Sequence, residues 1–179
     1  KKDVLGVFIN NNHNRMKRTD AERRACFEQC VAEYSKVINK VCYMYADDMD
    51  NFNDLRQEVL INVWLGIDSF ENRSKMSTWI YRVSLNTCIT YTNKERKHSS
   101  HEDLSDNHYL LDDTQEHSQM LREMYQLINR LNRLDKAMIL LWLDEVPYDE
   151  IALIMGISRN NVASHLRRAK EKLSNMANL

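Results

Sequence analysis

Arg159, Asn160, Asn161, Ser164, His165, Arg167, Arg168 and Lys170 crowd into a dozen residues near the end of this 179-residue chain. Guanidinium and amide groups present paired donors and acceptors that match base edges and phosphates, so the chemistry this cluster offers is nucleic-acid recognition. Interleaved with them, Val162, Leu166 and Ala169 recur at helical spacing and predict a helix with one apolar and one basic face. Just upstream, Tyr148–Met155 carries Ile151, Ala152, Ile154 and Met155 on its inner side. Gly156 stands where that helix must stop, and Ser158 suits the N-cap of the next. The whole reads as a helix-turn-helix with Ser158, Arg159, Asn160, Asn161, Ser164, His165, Arg167 and Arg168 as its DNA-facing residues.

A cluster of that kind needs a scaffold, and the composition bounds it. With 3 Gly and 1 Pro there is little turn chemistry for a sheet, and runs of period 3.6 are common, so the expected class is all-α. Net charge is −1, but the charges are segregated. Lys75, Arg82, Lys94, Arg96 and Lys97 form one basic patch, and Arg159 to Lys172 a second. Between Lys97 and Arg122 no Lys or Arg occurs, while Glu102, Asp103, Asp106, Asp112, Asp113 and Glu116 do. Local patches, not totals, govern phosphate binding.

Residues 1–18 are polar and read as a disordered extension, with Met16 an alternative start. Thr19-Asp20-Ala21-Glu22 is a capping-box pattern opening a helix whose stripe runs through Phe27, Cys30, Val31, Tyr34, Ile38, Val41 and Tyr45. Asp47–Asn53 reads as a break, Asp54–Ile67 as a second helix, Ser69–Ser74 as a loop, and a third helix starts near Lys75. These make a first domain over 19–97. Residues 98–117 read as a flexible acidic linker, and 118–179 as a second helical domain ending in the helix-turn-helix.

Cys26, Cys30, Cys42 and Cys88 fit no zinc spacing and read as buried thiols; no metal or other cofactor is expected. No H-E-x-x-H, P-loop or Gly-rich phosphate cradle is present, so an enzyme is disfavoured and no catalytic residue is assigned. No run is long enough to enter a membrane and no signal pattern is seen, which makes a reducing cytoplasm the expected location. From the helix-turn-helix alone, an autonomous repressor or activator is the alternative reading.

The first domain separates these options. Asp54-Leu55-Arg56-Gln57-Glu58-Val59, then Val63-Trp64, Phe70, Ser77-Thr78-Trp79-Ile80-Tyr81-Arg82-Val83 and Asn86, resembles the promoter-melting domain of bacterial sigma factors. Asp149-Glu150-Ile151-Ala152, Val162 and Arg168-Ala169-Lys170 resemble their −35-binding domain. Two modules in that order with a short linker are the layout of the extracytoplasmic-function (ECF) subfamily. The resemblance implies a subunit that binds core RNA polymerase, recognises −35 and −10 promoter elements and nucleates melting. It implies polymerase docking through Asp54, Leu55, Gln57 and Glu58 onto a coiled coil of the largest subunit, with the flap of the second-largest subunit as a further partner. It implies base capture and melting by Asn72, Arg73, Ser74, Lys75, Met76, Ser77, Trp79, Arg82 and Asn86, with Lys94, Arg96 and Lys97 clamping phosphates. Trp79 is read first as core packing, because it shares a stripe with Val83. An anti-sigma protein is the expected regulator, and the linker is expected to lie in the RNA path. Ala163 and Asn160-Asn161 depart from the common pattern, so the −35 sequence read here is not inherited from relatives.

Overall fold

The computed structural model describes residues 19–71, 73–98 and 119–177, all of them helices and short connections. The expected N-terminal extension, Asn72 and nearly all of the acidic linker lie outside the described residues.

Helix α1 (Asp20–Tyr45) opens with the capping box. The Glu22 carboxylate accepts from the Thr19 N–H at 2.8 Å, and the Thr19 hydroxyl accepts from the Glu22 N–H at 3.3 Å. The reciprocal pair satisfies backbone donors that the first turn of a helix otherwise leaves without partners. Its buried side chains, Cys30, Ile38, Val41, Cys42, Met44 and Tyr45, gather toward its C-terminal half.

Helix α2 (Met49–Gly66) begins five residues earlier than the sequence pattern suggests. The Asp/Asn cluster that reads as a break is N-terminal helix chemistry. Asp48 is the N-cap, its carboxylate accepting from the Asn51 N–H at 2.7 Å, and Asp50 sits in the first turn, where the helix dipole favours an acid. Leu55, Val59 and Val63 are fully buried along one stripe. One turn of 3-10 helix, Ile67–Ser69, leads into the loop before α3 (Met76–His98). Ile80, Tyr81, Leu85 and Cys88 of α3 are buried, and α1, α2 and α3 pack pairwise into a three-helix bundle.

The second module holds α4 (Gln119–Asn129), α5 (Arg133–Leu143), α6 (Tyr148–Met155) and α7 (Arg159–Ala177). The N-cap of α5 is Asn132, whose side chain accepts from the Asp135 N–H at 2.9 Å. Asp135 is buried within the first turn and paired with Lys172 at 2.5 Å. Gly156 takes the left-handed conformation (φ 66°) that ends α6, where a side chain would strain the backbone. Val162, Leu166 and Ala169 of α7 close the core against α5 and α6.

The two modules do not stand apart: α3 packs against α6, and their buried side chains form one apolar cluster. Leu55 is a direct test of the core assignment. Leu55→Ala is expected to destabilise the protein by about 2–5 kcal/mol, whereas Gln57→Ala, exposed two residues on, stays within about 0.5 kcal/mol. Thermal and urea unfolding of both variants measure the difference.

Candidate nucleic-acid interface

The helix-turn-helix presents its polar residues as expected. Arg159, Asn160, Asn161, Ala163, Ser164, Arg167 and Arg168 are exposed, and His165 is half-buried. Asn160, Ser164 and Arg168 follow one another at i, i+4 and i+8, so they line one edge of α7, with Arg167 beside them. Ser158 has a structural role, because its hydroxyl accepts from the Asn161 N–H at 3.3 Å and caps α7. The cations are already engaged. Arg159 pairs with Asp149 at 3.1 Å and Arg167 with Glu171 at 2.7 Å, while the Arg168 Nε donates to the Ser164 carbonyl at 3.3 Å. Both ion pairs are well exposed, each worth about 0–1 kcal/mol, so they restrain the two guanidinium groups little.

On the first module, the loop between the 3-10 turn and α3 is built on aromatic packing. Phe70 is buried and lies 5.5 Å, centroid to centroid, from Trp79. Trp79 is half-buried and covers Gly66 closely; a Cβ there would come within 3.0 Å of its ring. Trp79 thus serves first as the wall on which the loop rests. Arg73 is exposed and pairs with Glu71 at 2.5 Å, and Ser74, Met76 and Ser77 are half-buried. Lys75 is exposed and pairs with Glu150 of α6, which also accepts from the Thr78 hydroxyl at 3.1 Å. The bond from the Lys75 ammonium holds the Glu150 carboxyl below the usual carboxylate range. Arg82 is half-buried, and Asn86 and Lys94 are exposed along one line of α3. Arg96 and Lys97 belong to its last turn, and their side chains lie outside the described residues.

A third surface runs along α2. Asp54, Gln57 and Glu58 are exposed. Leu55 is not on this face: it is fully buried with Val59 and Val63, so it holds the helix and does not dock a partner. The structure adds Ile61 and Leu65, 46% and 65% exposed. They continue the line of Asp54 and Glu58 at i+7 and i+11. Their signal in the sequence is phase, because both fall outside the Leu55–Val59–Val63 stripe. Ile61 and Leu65 leave large aliphatic side chains in water beside the carboxylates of Asp54 and Glu58.

Among the described residues, no group of three or more His, Cys, Asp or Glu is placed to hold a metal ion, and no helix is long and apolar enough to cross a membrane. Cys30, Cys42 and Cys88 are buried free thiols, and Cys26 is half-buried; burial pushes the Cys30 thiol up to about 11, which keeps it protonated.

Residues 30–98 match the family described as Sigma-70 region 2, and residues 121–173 match Sigma-70, region 4. The ECF RNA polymerase sigma-E factor of Escherichia coli is 28% identical over 174 residues, spanning 89% of this chain and 91% of that protein. The ECF RNA polymerase sigma factor SigW of Bacillus subtilis is 24% identical, spanning 89% and 92%. Among solved structures, the fold is similar to that of the sigma factor RpoE from Bartonella quintana, solved with the anti-sigma factor NepR. Its TM-score is 0.70 at 20% identity, covering 86% of this chain and 97% of that one. CnrH, solved with the cytosolic domain of CnrY, gives a TM-score of 0.62 at 17% identity, covering 88% and 94%. The two matched regions stand in order and span most of the chain, the relatives are matched over nearly their whole length, and the helix-turn-helix lies within region 4. The chain therefore belongs to the sigma-70 family as an ECF-type RNA polymerase sigma factor, a non-catalytic subunit that initiates transcription with RNA polymerase.

Proposed function

We propose that the three surfaces divide the work of promoter recognition among named residues. The observation that carries this reading is the solvent face of α7, where Asn160, Asn161, Ser164, Arg167 and Arg168 stand exposed on a helix fixed by Gly156 and the Ser158 cap. These residues, with Arg159 and His165, read the −35 element in the major groove. The loop from Asn72 to Ser77 captures bases of the −10 strand, with Arg82 and Asn86 along its flank. Lys94, Arg96 and Lys97 hold phosphates. Trp79 contributes by supporting the loop. The domains are 19–97 for melting and core docking and 118–179 for the −35 element, joined by the acidic linker at 98–117.

Asp54, Gln57 and Glu58, extended by Ile61 and Leu65, dock on the coiled coil of the largest polymerase subunit, and the second module meets the flap of the second-largest. Carboxylates steer the encounter with a basic partner, and the two aliphatic side chains supply area that is shielded from water on docking. An anti-sigma protein that covers these faces is the regulator this reading implies, as the solved complex of RpoE contains one. The site of action is the cytoplasm, where polymerase and promoter are.

Run-off transcription tests the assignment. Core polymerase and fragmented genomic DNA, with this protein added, should yield new RNA 5′ ends that share two spaced upstream motifs; an unchanged set of 5′ ends contradicts it. Two variants localise the roles. Glu58→Lys should weaken binding to core polymerase roughly tenfold or more through charge reversal at the docking face, measured by pull-down, with thermal stability unchanged. Arg168→Ala should cost about 1–3 kcal/mol in binding to promoters bearing the −35 motif, measured by holoenzyme–promoter titration, and leave polymerase affinity intact.

A further inference from the structure

Arg23 stands in the first turn of α1, upstream of the residues matched to Sigma-70 region 2, which begin at residue 30. Its guanidinium makes three contacts at once. One terminal nitrogen donates to the Trp64 carbonyl at 2.8 Å, the Nε lies 3.1 Å from an Asp68 carboxylate oxygen, and the central carbon sits 4.2 Å over the middle of the Trp64 ring. Trp64 is in the last turn of α2, where carbonyls run out of partners within the helix and the dipole is negative, so a cation that donates suits the place twice over. Asp68 belongs to the 3-10 turn that follows. Phe27, one turn further along α1, meets the Trp64 ring edge-on at 5.3 Å. With Arg23 24% exposed and Asp68 44%, the ion pair alone is a modest tie. The carbonyl bond and the ring contact give it direction.

The turn that Arg23 holds is the entry to the loop before α3. The Ser69 hydroxyl donates to the Gly66 carbonyl at 2.6 Å, which folds the turn back on the end of α2. Phe70 comes next and leans on Trp79, which itself covers Gly66. Ile67 pegs the turn into the core, but an apolar peg has no preferred direction. The core of the bundle is completed without Arg23. What Arg23 fixes is therefore the angle of the turn, and not the assembly of the helices.

We propose that Arg23 is a positioning residue for promoter melting. From α1 it sets the angle at which the end of α2 and Asp68 present the loop of Arg73, Ser74, Lys75 and Ser77 to an unpaired base. The inference rests on the reading of that loop as base-capturing. Arginine is required, because a planar fork bonds a carbonyl, meets a carboxylate and covers a ring together, whereas a lysine ammonium is a point charge on a flexible stem.

Holoenzyme made with the full-length protein tests this. The probe is an oligonucleotide carrying the −10 non-template strand of a start site located by run-off transcription. Arg23→Ala and Arg23→Lys should each weaken its binding roughly tenfold, and permanganate reactivity of the melted thymines on the matching promoter should fall in step. Affinity for core polymerase and for a −35 duplex should stay within about twofold of the wild type, with helicity by circular dichroism unchanged. Asp68→Asn should weaken oligonucleotide binding in the same direction, and adding it to Arg23→Ala should cost nothing more, because the two residues act through one contact. Unaltered oligonucleotide affinity in Arg23→Ala overturns the proposal. So does full activity of Arg23→Lys, which would reduce Arg23 to a charge, or an equal loss of all three affinities, which would make its role that of general stability. Additive losses at Arg23 and Asp68 overturn it as well. Arg73→Ala with Lys75→Ala tests the premise separately. No loss there fells the reading of the loop and the proposal with it, whereas a loss there with none at Arg23 fells the positioning role alone.

Discussion

The last turn of α1 belongs to both modules at once, and the arrangement of the molecule follows from it. Met44, Tyr45 and Ala46 are buried together. The Tyr45 hydroxyl donates to the Arg133 carbonyl at 2.7 Å, and burial keeps that phenol protonated by pushing it far upward. The Lys136 ammonium donates to the Met44 carbonyl at 3.1 Å, at the negative end of α1's dipole, and lies 5.4 Å from the Tyr45 ring. Arg133 in turn donates to the Thr92 carbonyl at 2.7 Å, tying α5 to α3. With the start of α5 fixed on the end of α1, α6 lies across α3, and Asp144 and Glu150 arrive beside Lys40, Tyr81, Lys75 and Thr78.

A second constraint is electrostatic. A protein of net charge −1 that must meet a polyanion keeps carboxylates next to its cations. Arg73 has Glu71, Lys75 has Glu150, Arg159 has Asp149 and Arg167 has Glu171. Three of these pairs are local to one module. The Lys75–Glu150 pair bridges the two modules. Exposed pairs contribute little to stability, so breaking them costs the fold little.

Much of this is legible in the sequence, for reasons that can be named. The α7 stripe of Val162, Leu166 and Ala169, the Gly156 stop and the Thr19 capping box are local signals, and local signals survive into the fold. The start of α2 is harder to place, because Asp47, Asp48 and Asp50 read equally as a turn; N-cap and turn chemistry use the same residue types. Position in a motif puts Leu55 on the docking face, whereas helical phase with Val59 and Val63 puts it in the core, and phase wins. The contacts between modules are invisible in the sequence. They join residues 40 and 144, or 75 and 150, and no periodicity reports a pairing over that separation.

Zero-length carbodiimide cross-linking of the full-length protein, mapped by mass spectrometry, tests the closed arrangement most directly. Lys40–Asp144 and Lys75–Glu150 cross-links are expected in the free protein. Both should disappear when core RNA polymerase is added, while the local Lys172–Asp135 link within region 4 persists. Absence of the two inter-module links from the free protein, or their survival undiminished in the holoenzyme, would contradict it.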